Sequence, residues 1–198
     1  CRKAISLDRE FVEAYNTLGH SFLNSGSLDS AEVTFTYAIN LGKRLATRDQ
    51  GIRGRALYLD EQSEAFNGLG EVLNARKQFR YALEYLASSI SITPQWDTPW
   101  INKGVAYDGL GNSAATQVCY QRAIDLSVTN FTAYKKLAGL YRRMGNINDA
   151  LNVYRSALRV DPSSVDMCYG LADIYEKKGD HAHALEAFES IMNYAPDD

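Results

Sequence analysis

The sequence has few of the residues on which stapled folds, metal centres and membrane spans depend. Its 198 residues include only three cysteines, three histidines and four prolines. Cys1, Cys119 and Cys168 are odd in number and widely spaced, so we expect neither a disulfide framework nor a zinc site. This cysteine usage favours a reducing compartment, and we predict a cytoplasmic protein. No apolar run approaches the roughly 18 residues that are needed to span a bilayer.

Neither sign of charge dominates the chain. Lys and Arg number 21, Asp and Glu number 24, and the formal net charge is −3. A balance this even does not indicate bulk attraction to nucleic acid or to anionic membrane. We therefore expect no nucleic-acid partner and no membrane insertion. Hydrophobic residues make up 45% of the sequence, which is enough to build a packed core.

The sequence repeats itself at a fixed step, which is the signature of repeat architectures. In the second half a step of 34 links Tyr107, Tyr141 and Tyr175, then Gly111, Gly145 and Gly179, then Tyr120, Tyr154 and Phe188. Upstream the step is 51, which relates Tyr15 to Phe66 and Gly19 to Gly70. Since 51 is 34 plus 17, one repeat is followed by an insertion of 17 residues.

This frame predicts five repeats and one insertion in a single continuous domain. The repeats fall at 12–45, 63–96, 97–130, 131–164 and 165–198. We expect the insertion, 46–62, to extend the preceding helix and then to form a loop. Residues 1–11 match the end of a repeat, so we expect the sequence to begin inside a helix and to be part of a longer protein.

Within each unit, apolar residues at i, i+3 and i+7 predict one buried face of a helix. A glycine then ends the first helix, because it accepts a positive φ at little cost. Small residues predict close approach of the two helices of a pair. They are Gly19, Gly70, Gly104, Ala138 and Ala172 on the first helices, facing Ala31, Ala82, Ala150 and Ala184 on the second helices.

The fourth repeat carries Tyr134, Leu137, Ala138, Tyr141, Ala150, Tyr154, Ala157 and Pro162. This series resembles the tetratricopeptide repeat family, and the resemblance extends over essentially the whole chain. It implies an all-α fold, a right-handed superhelical solenoid of tandem helix-turn-helix hairpins. It also implies a protein-interaction scaffold without enzymatic activity. Departures are local, and the clearest is Lys77 in place of the turn glycine.

The sequence offers little catalytic or metal-binding chemistry. His181 and His183 are two residues apart and point to different sides of a helix, and His20 lies several repeats away. There is no P-loop, no GxGxxG and no GxSxG. Carboxylates are plentiful, but surface charge on helices explains them. We expect no catalytic residues, no metal and no cofactor.

The resemblance implies that the first helix of each repeat lines a concave groove that binds a partner. The groove positions carry the candidate binding residues, which are Asn16, His20, Asn67, Glu71, Ile101, Asn102, Val105, Lys135, Lys136, Arg142, Arg143, Tyr169 and Asp173. The three asparagines form a ladder whose amides suit an extended peptide backbone. Ile101 and Val105 are apolar groove residues that predict a small anchor pocket, with Tyr169 beyond them.

Four of the candidates are cations on one short helix, Lys135, Lys136, Arg142 and Arg143. They suit an acidic side chain, a phosphate or a terminal carboxylate, so we predict a protein or peptide partner of acidic character. The alternative is that each is an ordinary solvated side chain.

Other functions stay open at the level of the sequence. Repeats that clamp the acidic tail of heat-shock chaperones pair Lys with Asn at the fifth and ninth positions, and no repeat here has that pair, so the sequence disfavours a co-chaperone of that type. The chain is alternatively the substrate-recruiting arm of a larger enzyme, such as a glycosyltransferase or phosphatase. A third reading takes Cys1 as the lipidated N-terminus of a bacterial assembly factor. Uncapped ends would also permit a homo-oligomer.

Overall fold

The first helix of each repeat ends where the backbone turns left-handed. The structure, a computed structural model, describes residues 3, 5, 8, 10–48 and 52–194. Positive φ values occur at Gly26, Gly111, Gly145 and Gly179, and at Lys77, which has a φ of 60°. These five residues share one position of the repeat frame. Two backbone hydrogen bonds close each turn. In one of them, the backbone N–H of Asn146 donates to the Tyr141 carbonyl over 2.9 Å.

Helices are the regular structure of the described residues, which contain no strand, so the predicted all-α class is confirmed. In chain order they are α1 (Val12–Asn24), α2 (Leu28–Arg48), α3 (Ile52–Ala75), α4 (Phe79–Ile92), α5 (Thr98–Gly109), α6 (Ser113–Leu126), α7 (Phe131–Arg143), α8 (Ile147–Val160), α9 (Val165–Lys177) and α10 (His181–Tyr194).

The helices belong to two compact units, unit 1 from Cys1 to Asn112 and unit 2 from Ser113 to Asp198. In unit 1, α3 packs against α1, α2, α4 and α5, so first helices contact first helices of the next repeat. In unit 2, consecutive helices pack from α6 to α10. Each unit therefore buries its apolar faces by stacking helix pairs, as expected of a repeat that cannot form a core alone.

An aromatic ring against a glycine sets the closest approach between helices of unit 1. Phe35 of α2 is completely buried. A Cβ atom on Gly19 of α1 would lie 2.6 Å from the Phe35 ring, and one on Gly68 of α3 would lie 2.4 Å from it. Tyr154 meets Gly170 in the same way in unit 2. Such spacing leaves no room for any side chain at these glycines.

The insertion is more helical than we expected. Residues 46–48 belong to α2, and residues 52–62, part of the segment in which we expected a loop, form the first turns of α3. At the end of the insertion, the buried Gln62 of α3 packs against Gly42 of α2. The repeat boundaries themselves stay a prediction.

Some predictions concern residues outside the described part of the chain. Cys1 and Pro196 are among them, as is most of the helix end expected at 1–11. Among the residues that are described, no helix combines the length and the apolarity needed to cross a membrane.

We predict that Lys77→Gly stabilises unit 1 by about 1 kcal/mol. A left-handed non-glycine residue costs roughly 1–2 kcal/mol, and the greater freedom of unfolded glycine offsets part of that gain. Urea unfolding at a fixed temperature measures the change. The matched reverse change, Gly145→Lys, should destabilise unit 2, since its surroundings are open and only its φ of 79° opposes a side chain. An unchanged midpoint in Lys77→Gly would contradict the turn geometry.

We predict that Gly68→Ala destabilises the protein by about 1–3 kcal/mol, the usual cost of overpacking a core. The new methyl group would overlap the Phe35 ring. Thermal unfolding measures the loss, and adding Phe35→Leu should restore part of it. Gly139→Ala is the matched control, because its Cβ would meet only the Arg143 side chain at 3.7 Å. That control should be neutral or slightly stabilising, as alanine favours helix.

Candidate functional site

Three predicted groove residues of unit 1 belong to its interior. Asn16 is 0% exposed, Asn67 is 2% exposed and Ile101 is 5% exposed. The prediction that they offer contacts to a partner is therefore wrong for the structure as it stands. The two asparagines bond to neighbouring first helices. Of the predicted set in unit 1, His20, Glu71, Asn102 and Val105 remain partly accessible.

The asparagine ladder fastens first helices to one another. The Asn16 amide donates to the Glu61 carbonyl over 2.9 Å and to the Glu64 carboxylate over 3.3 Å, which joins α1 to α3. The Asn102 amide donates to Asn67 Oδ1 over 2.8 Å and to Glu71 Oε1 over 2.9 Å, which joins α3 to α5. These donors are already used, so they are not available to a peptide backbone.

His20 and four glutamates give the first-helix face of unit 1 an acidic character. His20 Nε2 lies 3.5 Å from Glu64 Oε1, and its Nδ1 lies 3.9 Å from Glu71 Oε2. The hydrogen bond to Glu64 raises the pKa of His20, with Glu71 adding to the effect. Burial, together with the charges of Glu13 and Glu64, raises the pKa of Glu61 to about 7. Negative charge therefore exceeds positive charge on this face.

The apolar anchor predicted around Ile101 is not formed, because that side chain is part of the core. Val105 is only half-buried. In unit 2, Tyr169 is 54% exposed, and its ring centroid lies 5.8 Å from that of Phe188 in an edge-to-face arrangement. Tyr169 is thus held by an aromatic neighbour while one side stays open to a partner.

Helix α7 displays the four predicted cations, and α9 supplies acids beside two of them. Lys135 Nζ lies 3.1 Å from Asp166 Oδ2, and Arg142 lies 2.6 Å from Asp173 Oδ2. Lys177 also contacts Asp173 at 2.8 Å. Hydrogen bonding from Lys177, together with the charge of Arg142, lowers the pKa of the Asp173 carboxyl.

The other two cations of α7, Lys136 and Arg143, are exposed. Lys136 makes no hydrogen bond or ion pair within the part of the chain that the structure describes. Cations therefore outnumber acids on this helix, which makes the first-helix face of unit 2 basic where that of unit 1 is acidic.

Sequence reasoning missed a series of crevices beside the second helices. In unit 2 one crevice is bounded by α6, α7 and α8, and the next by α8, α9 and α10. The step of 34 relates their residues pairwise, as Gln121 to Arg155 and Tyr141 to Tyr175. The repeat frame was the signal that could have revealed them. Across residues 10–48 and 52–194, no three His, Cys, Asp or Glu side chains are grouped to hold a metal ion.

Comparison with known proteins identifies the repeat. Models described as tetratricopeptide repeat match residues 98–127 and 135–197. The chain is 38% identical over 87 residues to the tetratricopeptide repeat and J domain-containing co-chaperone DNJ1 of Cryptococcus neoformans, covering 44% of this chain and 17% of that protein. It is 25% identical over 186 residues to the TPR repeat-containing protein MJ1428 of Methanocaldococcus jannaschii, covering 88% of this chain and 29% of that one.

Solved structures share the fold along nearly the whole chain. The crystal structure of YrrB, described as a TPR protein with an unusual peptide-binding site, has a TM-score of 0.57 and 18% identity. The match covers 99% of this chain and 92% of YrrB. At this identity the likeness shows the fold alone. The repeated turns, the stacked helix pairs and the matched repeat models together show that this chain contains tetratricopeptide repeats, over residues 98–127 and 135–197.

Proposed function

We propose that this chain is a non-enzymatic protein-binding segment, and that the first-helix face of unit 2 holds an acidic segment of a partner protein. Proteins of this family generally act as interaction scaffolds. The observation that carries the finer proposal is the set of cations on α7, of which Lys136 has no partner among the described residues. The partner segment would lie along α7 and α9, where Tyr169 offers an exposed ring.

The ion pair between Lys135 and Asp166 on this face is weak, so a carboxylate of a partner can replace Asp166. The side chains of Lys135 and Asp166 are 61% and 72% exposed. Pairs this exposed contribute about 0–1 kcal/mol, so a partner carboxylate can replace Asp166 at little cost. Arg142 and Arg143 each present a planar fork that matches a carboxylate in two hydrogen bonds. Acidic side chains therefore complement this face better than neutral or basic ones.

The first-helix face of unit 1 does not suit the same acidic segment. Glu61, Glu64 and Glu71 would repel its carboxylates, and the asparagine amides of this face are used between helices. Like charges placed together cost free energy, which supports binding by unit 2 rather than unit 1. We therefore propose that the partner binds along the first helices of unit 2 and not along every repeat.

A second candidate function is the repeat arm of a longer protein with a separate active domain. The chain spans only 17% to 29% of the two curated relatives described above, and one of these carries a J domain. A catalytic domain in the same reading frame would support a substrate-recruiting role. A lipidated Cys1, detected by mass spectrometry, would instead support the lipoprotein alternative.

Two further expectations remain proposals. Cys119 and Cys168 are buried and form no disulfide among the described residues, which supports a reducing compartment such as the cytoplasm. The other proposal is that the protein forms a homo-oligomer.

We predict that Lys136→Glu/Arg143→Glu weakens binding of an acidic peptide about tenfold, as two reversed surface charges of roughly 0.5–1 kcal/mol each should. Fluorescence polarisation would use a labelled peptide of alternating Asp and Gly, with Lys in place of Asp in a control peptide. The matched variant is Arg122→Glu/Arg159→Glu, which reverses exposed cations on α6 and α8. An equal loss of affinity in both variants, or an affinity that does not change with salt concentration, would contradict binding at the first-helix face of unit 2.

We predict that the stability of unit 1 falls as pH rises from about 6 to about 8. His20 has a raised folded pKa, so its contribution is present below the ordinary 6.5 and is lost as pH rises through the folded value. Glu61 is protonated more readily when folded, so stability also falls between pH 4.5 and about 7. Both effects have the same sign in this window.

Urea midpoints measured across this pH range test the effect. Glu61→Gln should flatten the dependence and raise stability at the alkaline end, whereas His20→Gln should lower stability only at the acidic end. Glu189→Gln, an exposed change on α10 of unit 2, is the control that should leave the profile unchanged. A wild-type midpoint that rises with pH would refute the assignment.

A further inference from the structure

Two equivalent crevices of unit 2 carry different side chains at matching positions. The first crevice, between α6, α7 and α8, contains Gln121, Tyr141 and Asp149. The second, between α8, α9 and α10, contains Arg155, Tyr175 and His183 at the positions 34 residues later. Because the helices and turns repeat, the two crevices have the same backbone framework but different side chains.

The second crevice shows which group this framework accommodates. The guanidinium carbon of Arg155 lies 5.9 Å from the centroid of the Tyr175 ring, and its Nη2 donates a hydrogen bond to the Tyr175 hydroxyl. His183 stacks on the same ring with centroids 5.1 Å apart. Tyr175 is consequently only 5% exposed. An arginine over this tyrosine is thus a contact that the molecule already makes.

The first crevice lacks that arginine. Gln121 takes its place, and the Gln121 amide is turned along its own helix, donating to Asp125 Oδ1 over 2.9 Å. Tyr141 remains more accessible than Tyr175. The crevice holds a cavity of about 240 Å³, with Ile124 and Leu137 among the apolar residues that line it. That volume is below the roughly 300 Å³ of the smallest usual ligand pockets, so it suits one side chain rather than a cofactor.

The charge of the first crevice is negative. Asp149 is the only formally charged residue among those that line it. Burial and the charge of Asp149 raise the pKa of Tyr141, so its ring is a neutral phenol with an electron-rich face. A planar cation on an aliphatic stem matches these features, because the stem contacts the apolar lining and the head meets the ring and the carboxylate.

We propose that the first crevice binds an arginine side chain of a partner protein, with the guanidinium over Tyr141 and paired to Asp149. This surface is separate from the α7 cations and selects the opposite charge, so it goes beyond the acidic-segment proposal and does not depend on it. A partner that used both surfaces would carry an acidic segment and an arginine. Lysine fits less well, since its compact ammonium neither stacks on a ring nor forms a fork.

The test is a two-dimensional 1H–15N NMR titration of the full chain with N-acetyl-arginine N-methylamide. This probe carries the side chain without charged ends. We expect saturable shifts at the backbone amides around Tyr141, Asp149 and Val153, with weaker shifts for the lysine analogue. The citrulline analogue, which keeps the shape and loses the charge, should bind about three- to tenfold more weakly, as expected for a surface cation–π contact and ion pair.

Two variants separate the proposal from simple misfolding. Asp149→Asn should weaken binding by a similar factor, whereas Glu189→Gln, an equally exposed carboxylate on α10, should not. Gln121→Arg should place an internal guanidinium over Tyr141, as Arg155 does over Tyr175, and should abolish the shifts while leaving the thermal midpoint unchanged or higher. Equal binding of citrulline, shifts that persist in Gln121→Arg, or shifts centred outside this crevice would each overturn the proposal.

Discussion

The ring of Phe35 fixes how the helices of unit 1 approach one another. It is fully buried between α1 and α3, and both helices meet it with glycine, Gly19 and Gly68. Any larger residue would push the helices apart, because packed interiors do not absorb extra volume. The same ring holds His20, whose centroid lies 5.0 Å away in an edge-to-face contact. The position of His20 between Glu64 and Glu71 therefore depends on this packing.

Close approach of the first helices decides what their polar groups can do. Once α1 and α3 are this near, Asn16 reaches the Glu61 carbonyl and the Glu64 carboxylate instead of solvent. These bonds to the amide nitrogen offset part of the cost of burying the side chain, whose Oδ1 atom has no hydrogen-bond partner among the described residues. The face that remains is acidic, whereas in unit 2 the corresponding helices are joined by exposed ion pairs such as Lys135–Asp166. The polar groups of the first face bond to neighbouring helices, and the second face keeps the cations that we propose bind a partner.

The repeat frame made the helices, the turns and the left-handed position of Lys77 predictable. It did not make the burial of Asn16 and Asn67 predictable, because the amphipathic pattern of one helix classes asparagine as polar surface. Only the neighbouring helix supplies the acceptors that make burial possible. The insertion was misjudged for a similar reason, since the contact of Gly42 with Gln62 pairs residues 20 apart in sequence that no local pattern relates. The sequence pattern predicted where each helix and turn lies, but it did not predict which residues of two neighbouring helices contact each other.

The two crevices of unit 2 share a backbone framework but differ in their side chains, so they differ in what they can bind. Where position 155 is arginine, the tyrosine of the crevice already has its cation. Where the equivalent residue is Gln121, the tyrosine stays accessible and Asp149 leaves the lining negative. Asp149 is exposed, and an occupant that covered it without bringing a positive charge would bury an unpaired carboxylate at a cost in free energy. The two crevices can therefore be compared directly. In the second, Arg155 contacts the tyrosine, and in the first, we propose that an arginine of a partner makes the equivalent contact.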